Sequence, residues 1–231
     1  LFLNTYKKLN FSNFDESELS LKIEQVTNDT YLKTHKLEST IIKNYDSLKS
    51  KVGIEAYRDN LSLNVDFEVY ENLGKNKSDR YEYILPNYTL IRQFEPEEVL
   101  NGNFSLNSSG FIKNYNTNIT EKIVINDFIY SSYPEFTKNG FKNNYNYIIK
   151  NVNSESKNSK TYKDELDHTM ATTIEYNSSY PLKKIVNNYN NILKPKISLR
   201  YSPNNSKNMR NENRRIDTNN IFSLNRIGVN D

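Results

Sequence analysis

Two imidazoles are available for acid–base or metal chemistry, His35 and His168. His168 closes the run Asp164-Glu165-Leu166-Asp167-His168, where carboxylates beside an imidazole could hold a metal ion or relay a proton. The plainer reading is a solvated loop or strand end. Nucleophilic hydrolysis needs a nucleophile, an adjacent base and a group that orients the base. Serines are plentiful, but no G-x-S-x-G elbow stands in the sequence. No P-loop, Gly-rich dinucleotide fingerprint or zincin helix is present either. With zero Cys, neither a disulfide nor a thiolate zinc site can form within these residues. The sequence therefore assigns no catalytic residue, metal ligand or cofactor-binding residue, while a Ser–His pair stays open.

The 31 basic and 28 acidic residues leave a net charge of +3, which makes no case for nucleic acid. Hydrophobic residues make up 35%, below the roughly 45–50% of ordinary globular domains. Low hydrophobicity can mean disorder, but disordered chains are poor in aromatics, and here 18 Tyr and 11 Phe are present. The abundance of Asn, Lys, Ile and Tyr fits a low-GC coding bias. The same bias accounts for triplets such as Asn60-Leu61-Ser62 and Asn103-Phe104-Ser105 that match glycosylation sequons. No apolar run approaches the ~18 residues of a transmembrane helix. The sequence starts at Leu1 and stops at Asp231 just after the strand-like Asn220 to Gly228, so it reads as an internal piece of a larger protein. A missing signal peptide then carries no information about location.

The elements that position these residues read as strands. Leu61, Leu63, Val65, Phe67 and Val69 fall on one face of an extended segment, and Asn64, Asp66 and Glu68 on the other. Such a segment suits either a soluble sandwich or the roughly ten-residue strand of a membrane barrel, with a greasy outside and a wet inside. In a barrel the first set is the candidate lipid-facing one and the second the candidate lumen-facing one. Similar alternation marks Leu1 to Thr5, Leu19 to Glu24, a strand pair within Tyr31 to Tyr45, and Val52 to Ala56. It resumes at Tyr81 to Ile91, where Pro86 demands a bulge, strand end or edge position. Asn107-Ser108-Ser109-Gly110 reads as a turn, followed by strands at Phe111 to Ile119 and Glu121 to Ser131. In the latter, Ile123, Ile125 and Ile129 share a face with Asp127. Long polar loops are expected near 132–167, with an ordered middle at Tyr145 to Val152, and near 202–217. Strands are expected at Thr169 to Tyr180, Ile192 to Tyr201 and Asn220 to Ile227. The fold class expected is all-β: an antiparallel meander of about 11–12 strands, one continuous domain over 1–231, forming part of a large barrel. As an isolated piece it should be an open curved sheet.

Tyr81, Tyr83 and Tyr88, and Tyr130 with Tyr133, fit the aromatic girdles of a barrel as well as packing in a soluble β core. A more specific signal is an ordered set of short stretches. These are Tyr70-Glu71-Asn72-Leu73 with Asp79-Arg80-Tyr81-Glu82-Tyr83-Ile84-Leu85-Pro86; Asn139-Gly140-Phe141-Lys142; Ser179-Tyr180-Pro181-Leu182; Leu193 to Pro203, which includes Pro195 and Tyr201-Ser202-Pro203; and Asn220 to Gly228, which includes Arg226. In this order and spacing the chain resembles the barrel of the LptD family, the outer-membrane lipopolysaccharide-assembly proteins (organic solvent tolerance family), in its alphaproteobacterial form. The family-motif positions are Asp79, Arg80, Tyr81, Pro86, Pro181, Pro195, Pro203, Arg226 and Gly228.

The resemblance implies a barrel in the outer membrane of a Gram-negative bacterium that inserts lipopolysaccharide into the outer leaflet without covalent chemistry. It implies as partners lipopolysaccharide, an LptE-like plug lipoprotein, and an LptA-like periplasmic bridge docking through an N-terminal domain that these residues do not include. It implies no cofactor and no nucleic acid. A porin or receptor barrel, and a soluble β-rich binding or adhesion module, are the alternatives.

Overall fold

A computed structural model describes residues 1–36, 44–94, 101–186, 189–203 and 218. The chain is all-β. Ten strands form an antiparallel meander: β1 (Phe2–Leu9), β2 (Glu16–Glu24), β3 (Ser47–Arg58), β4 (Leu61–Asn72), β5 (Tyr81–Phe94), β6 (Gly102–Tyr115), β7 (Ile119–Ser132), β9 (Lys142–Lys157), β10 (Asp167–Ser179) and β13 (Lys196–Tyr201). The two-residue β8 (Glu135–Phe136) pairs with the start of β9. β11 (Leu182–Val186) and β12 (Tyr189–Leu193) form a separate hairpin. The sheet is open, with β1 and β13 as its edges.

Cross-strand partners share a face, so the register sorts every side chain. Asp66 lies opposite Gly53 and Asn87, and Glu68 opposite Lys51 and Ile84. Carried across the sheet, this face holds Lys22, Glu24, Lys49, Lys51, Asp66 and Glu68 in the first half. In the second half it holds Phe111, Ile123, Ile125, Asp127, Ile148, Lys150, Val152 and Glu175. Most of the buried side chains lie here, although no second layer covers it among the described residues. A single curved sheet buries its concave side in this way, by crowding side chains against one another. The convex face carries Leu3, Leu21, Val52, Phe67, Phe128 and Ile174, with Val52, Phe67 and Ile174 close to half exposed.

Several local expectations need correction. The segment from Tyr31 opens with a short helix, α1 (Tyr31–His35), rather than a strand pair. Leu32 explains it, being fully buried against Leu48 and Leu73 at the sheet's end. Residues 37–43 of that segment lie outside the described residues. The turn expected at Asn107 to Gly110 lies within β6, and the chain reverses at Asn116 to Asn118 instead, with Asn116 and Thr117 at positive φ. Gly110 has a tertiary reason for being there: a Cβ would come within 2.8 Å of the Tyr88 ring and 2.5 Å of the Ile123 carbonyl oxygen. The long polar loop expected over 132–167 contains the 16-residue β9, paired along its length with β7 and β10. Its composition reads as loop because Asn occurs on both of its faces, and Asn146 and Asn151 find partners on the neighbouring strands at Glu175 and Asn126. The stretch Ile192 to Tyr201 is split at Lys194-Pro195 between β12 and β13. The bulge required by Pro86 is present, as a register shift between Ile84 and Asn87. The loop expected near 202–217 falls almost wholly outside the described residues. The strand expected at Asn220 to Ile227, with Arg226 and Gly228, falls wholly outside them.

Candidate functional site: an ion-paired concave wall

β2, β3 and β4 place alternate residues on the concave face, where opposite charges meet across strands. Lys49 Nζ reaches Glu68 Oε1 at 2.7 Å, and Lys51 Nζ reaches Asp66 Oδ1 at 2.8 Å. Lys22 pairs with Glu24 at 2.6 Å, and Glu24 also accepts the Lys49 backbone N–H at 2.7 Å. The Tyr70 hydroxyl donates to Glu68 at 2.9 Å, while Lys49 sits 4.9 Å from the centre of the Tyr70 ring. Asn64 donates to Asp66 at 3.3 Å. Gly53 leaves the space this ladder occupies, since a Cβ there would meet Asp66 Oδ1 at 2.3 Å. Asp66 and Glu68 are each only 5% exposed. Charges so placed persist because each has a partner of opposite sign.

The wall continues with a different texture. Lys150, 2% exposed, extends to Asp127 at 3.1 Å among Ile123, Ile125, Ile129, Ile148 and Val152. Glu175 accepts from the side-chain amides of Asn146 and Asn177. Glu121 accepts from Tyr115 at 2.9 Å and from Ser159 at 2.6 Å. Four buried atoms on this face, Asn64 Oδ1, Asp127 Oδ1, Thr173 Oγ1 and Asn177 Oδ1, have no hydrogen-bond partner among the described protein groups. A dry core penalises such atoms, whereas a hydrated wall does not.

The candidate residues of β4 divide as alternation predicts. Asn64, Asp66 and Glu68 stand together on the concave face, and Leu61, Leu63, Val65, Phe67 and Val69 on the convex one. His35 packs on the Tyr31 ring at 4.5 Å in a tilted arrangement, and His168 Nδ1 lies 2.6 Å from Asn153 Oδ1 on the convex face, opposite to Asp167. No metal-binding cluster occurs among the described residues.

The motif residues form two separate clusters at opposite ends of the sheet. Arg80 clasps Asp29 with two nitrogens and Glu71 through Nε at 2.6 Å, and Tyr81 donates to the same Glu71 oxygen at 3.0 Å. Asp79 accepts from Thr117 at 2.9 Å. Tyr180 packs on Phe141 at 4.8 Å, beside Gly140, whose φ is +83°. Pro181 and Pro195 flank the β11–β12 hairpin, and the Tyr180 N–H closes its root on the Pro195 carbonyl at 3.0 Å. Pro203 follows β13. Sequence reasoning missed Lys49, Lys51, Lys150 and Glu175. The carboxylate partners of the three lysines lie on other strands, as does Asn146 beside Glu175, and Asp127 among isoleucines was the one local hint of a buried cation.

Compared with known proteins, the chain matches no family model. It also matches no curated protein.

Proposed function

We propose that this chain is part of the wall of an outer-membrane β-barrel of the LptD type and serves the non-covalent transfer of lipopolysaccharide to the outer leaflet. The observation that carries the membrane part is the polarity of the sheet. Ion pairs and amides crowd the concave side, while Val52, Phe67, Ile174 and Leu199 stand 43–64% exposed on the convex side, with no second layer against them among the described residues. A soluble sandwich does the reverse, burying its apolar faces between two sheets. A barrel meets lipid with one face and water with the other. The lipopolysaccharide part rests on the ordered motif set, whose members Arg80 with Glu71, and Tyr180 with Phe141, contact one another. On this reading the lumen presents carboxylates, ammonium groups and amides to the sugars and phosphates of the ligand. The LptE-like plug occupies the lumen, and the LptA-like bridge docks on a separate domain.

The test is photo-crosslinking in cells. A photoreactive amino acid is placed at Asn64 on the concave face, or at Phe67 on the convex face, of the complete protein. The Asn64 position is expected to capture lipopolysaccharide and the Phe67 position membrane lipid. Capture of lipid at Phe67 without lipopolysaccharide at Asn64 would favour a porin or receptor barrel. Capture of no lipid at Phe67 would remove the membrane reading altogether.

A further inference from the structure

Among the described residues, the hairpin of β11 and β12 pairs with no strand of the main sheet. Two strands alone are marginal in water, and this pair shields little of its own surface. Leu182 is 43% exposed, Ile185 67%, Tyr189 74%, Ile192 71% and Leu193 63%. The segment from Tyr180 to Lys196 also holds Lys183, Lys184, Lys194 and Lys196 and no acidic residue. Lys183 and Lys184 stand in the hairpin itself, while Lys194 follows it and Lys196 opens β13 at its root. Its root is fixed by the bond from Tyr180 to the Pro195 carbonyl and by the packing of Tyr180 on Phe141.

We propose that this hairpin is an interfacial anchor that binds the anionic phospholipid headgroups of the membrane beside the barrel. Cationic side chains with Tyr, Ile and Leu on one short element are what an interfacial site needs. Lysines meet phosphates, and the aliphatic and aromatic groups enter the boundary between headgroups and acyl chains. The membrane reading above is needed here only to bring a bilayer alongside.

The chain has no Trp, so one indole reports one place. The 231-residue chain carrying Tyr189→Trp is refolded with phosphatidylcholine bilayers, with or without phosphatidylglycerol, containing brominated lipids. A Val65→Trp variant reports the convex wall separately. Bromine is expected to quench the Y189W indole in phosphatidylglycerol bilayers. That quenching should be lost in high salt and when the four lysines are changed to Gln, with circular dichroism unchanged. An indole that stays in water in both lipids, or is quenched equally with and without phosphatidylglycerol, overturns the proposal. So does an indole shielded only when a purified plug lipoprotein is added. Quenching of V65W without Y189W leaves the wall standing and removes the anchor. Quenching of Y189W without V65W does the reverse.

Discussion

The Lys150 side chain is 2% exposed, an extreme for an amine, and its Asp127 partner is 16% exposed. Removing the cation alone leaves a carboxylate among isoleucines, and breaking a buried pair typically costs about 3–5 kcal/mol. Lys150→Met should therefore destabilise the refolded protein by roughly that amount. Adding Asp127→Leu to it should recover most of the loss, as measured by urea unfolding in detergent. Two glycines offer a second contrast. At Gly53 the atoms a Cβ would meet are the ends of Asp66, Lys51 and Ser20, which can swing aside. At Gly110 they are the Ile123 carbonyl and the Tyr88 ring, which cannot move without disturbing the ladder. Overpacking costs about 1–3 kcal/mol, and Gly110→Ala should sit at the upper end of that range with Gly53→Ala at the lower. Equal losses in the same unfolding assay would contradict the distinction.

At the scale of elements, the alternation of β4 was readable because its two faces differ in every residue from Leu61 to Val69. β5 was less so, since Tyr81 and Tyr83 share the convex face with Tyr88 despite the change from odd to even numbering. The bulge between Ile84 and Asn87 restores the phase, and Pro86 was the local sign of it. The ordered middle expected at Tyr145 to Val152 lies inside β9, but the ends of that strand and the interior of β6 were unreadable, because Asn and Ser look like loop until their neighbours across the sheet are known. The α1 helix was hidden for the same reason, its one anchor, Leu32, having partners at Leu48 and Leu73. The segment that carries it is tied to the β4–β5 turn by Arg80. The hydrogen bond from Arg80 holds the Asp29 carboxyl below the ordinary carboxylate range, and the guanidinium's charge adds to the effect. A lowered folded-state value means the clasp contributes fully above the unfolded pKa of about 4 and is lost as pH falls through the folded value. Hydrogen exchange at the Lys36 amide, which caps α1 on the Leu32 carbonyl, should therefore speed up under acid after correction for the intrinsic rate. In Asp29→Asn it should be faster already at neutral pH and respond less to acid. Identical acid responses in the two proteins would show that the clasp does not hold α1.

For the whole molecule, the convex surface is not uniformly apolar, and the way its polarity is distributed follows from strand tilt. One row across the sheet runs Leu9, Ser17, Ala56, Leu63, Leu90, Ser108, Asn126, Asn151, Met170, each opposite the next. It is largely apolar up to β5 and polar from β6 to β9. Two residues further along the second-half strands, towards the β8 end, Leu106, Phe128 and Ile149 are apolar. Two beyond those, so are Phe104, Tyr130, Tyr147, Ile174 and Tyr201. The apolar surface therefore climbs as the meander proceeds. In a barrel whose strands tilt by roughly 35–45°, a level lipid belt must cross these perpendicular rows obliquely, in this manner. The polar patch left below the belt is linked by side-chain hydrogen bonds from Tyr88 through Ser108, Asn126, Asn151 and Asn153 to His168. On the membrane reading that patch lies outside the lipid although it shares a face with Phe128 and Ile174. With zero Cys in the chain, single cysteines can map this boundary cleanly. A water-soluble maleimide should label Asn151→Cys and His168→Cys in the refolded protein in bilayers, and should leave Ile174→Cys and Phe67→Cys unmodified until detergent is added. Labelling that divided the convex face by strand number, or reached all four positions alike, would mean that no tilted lipid belt crosses it.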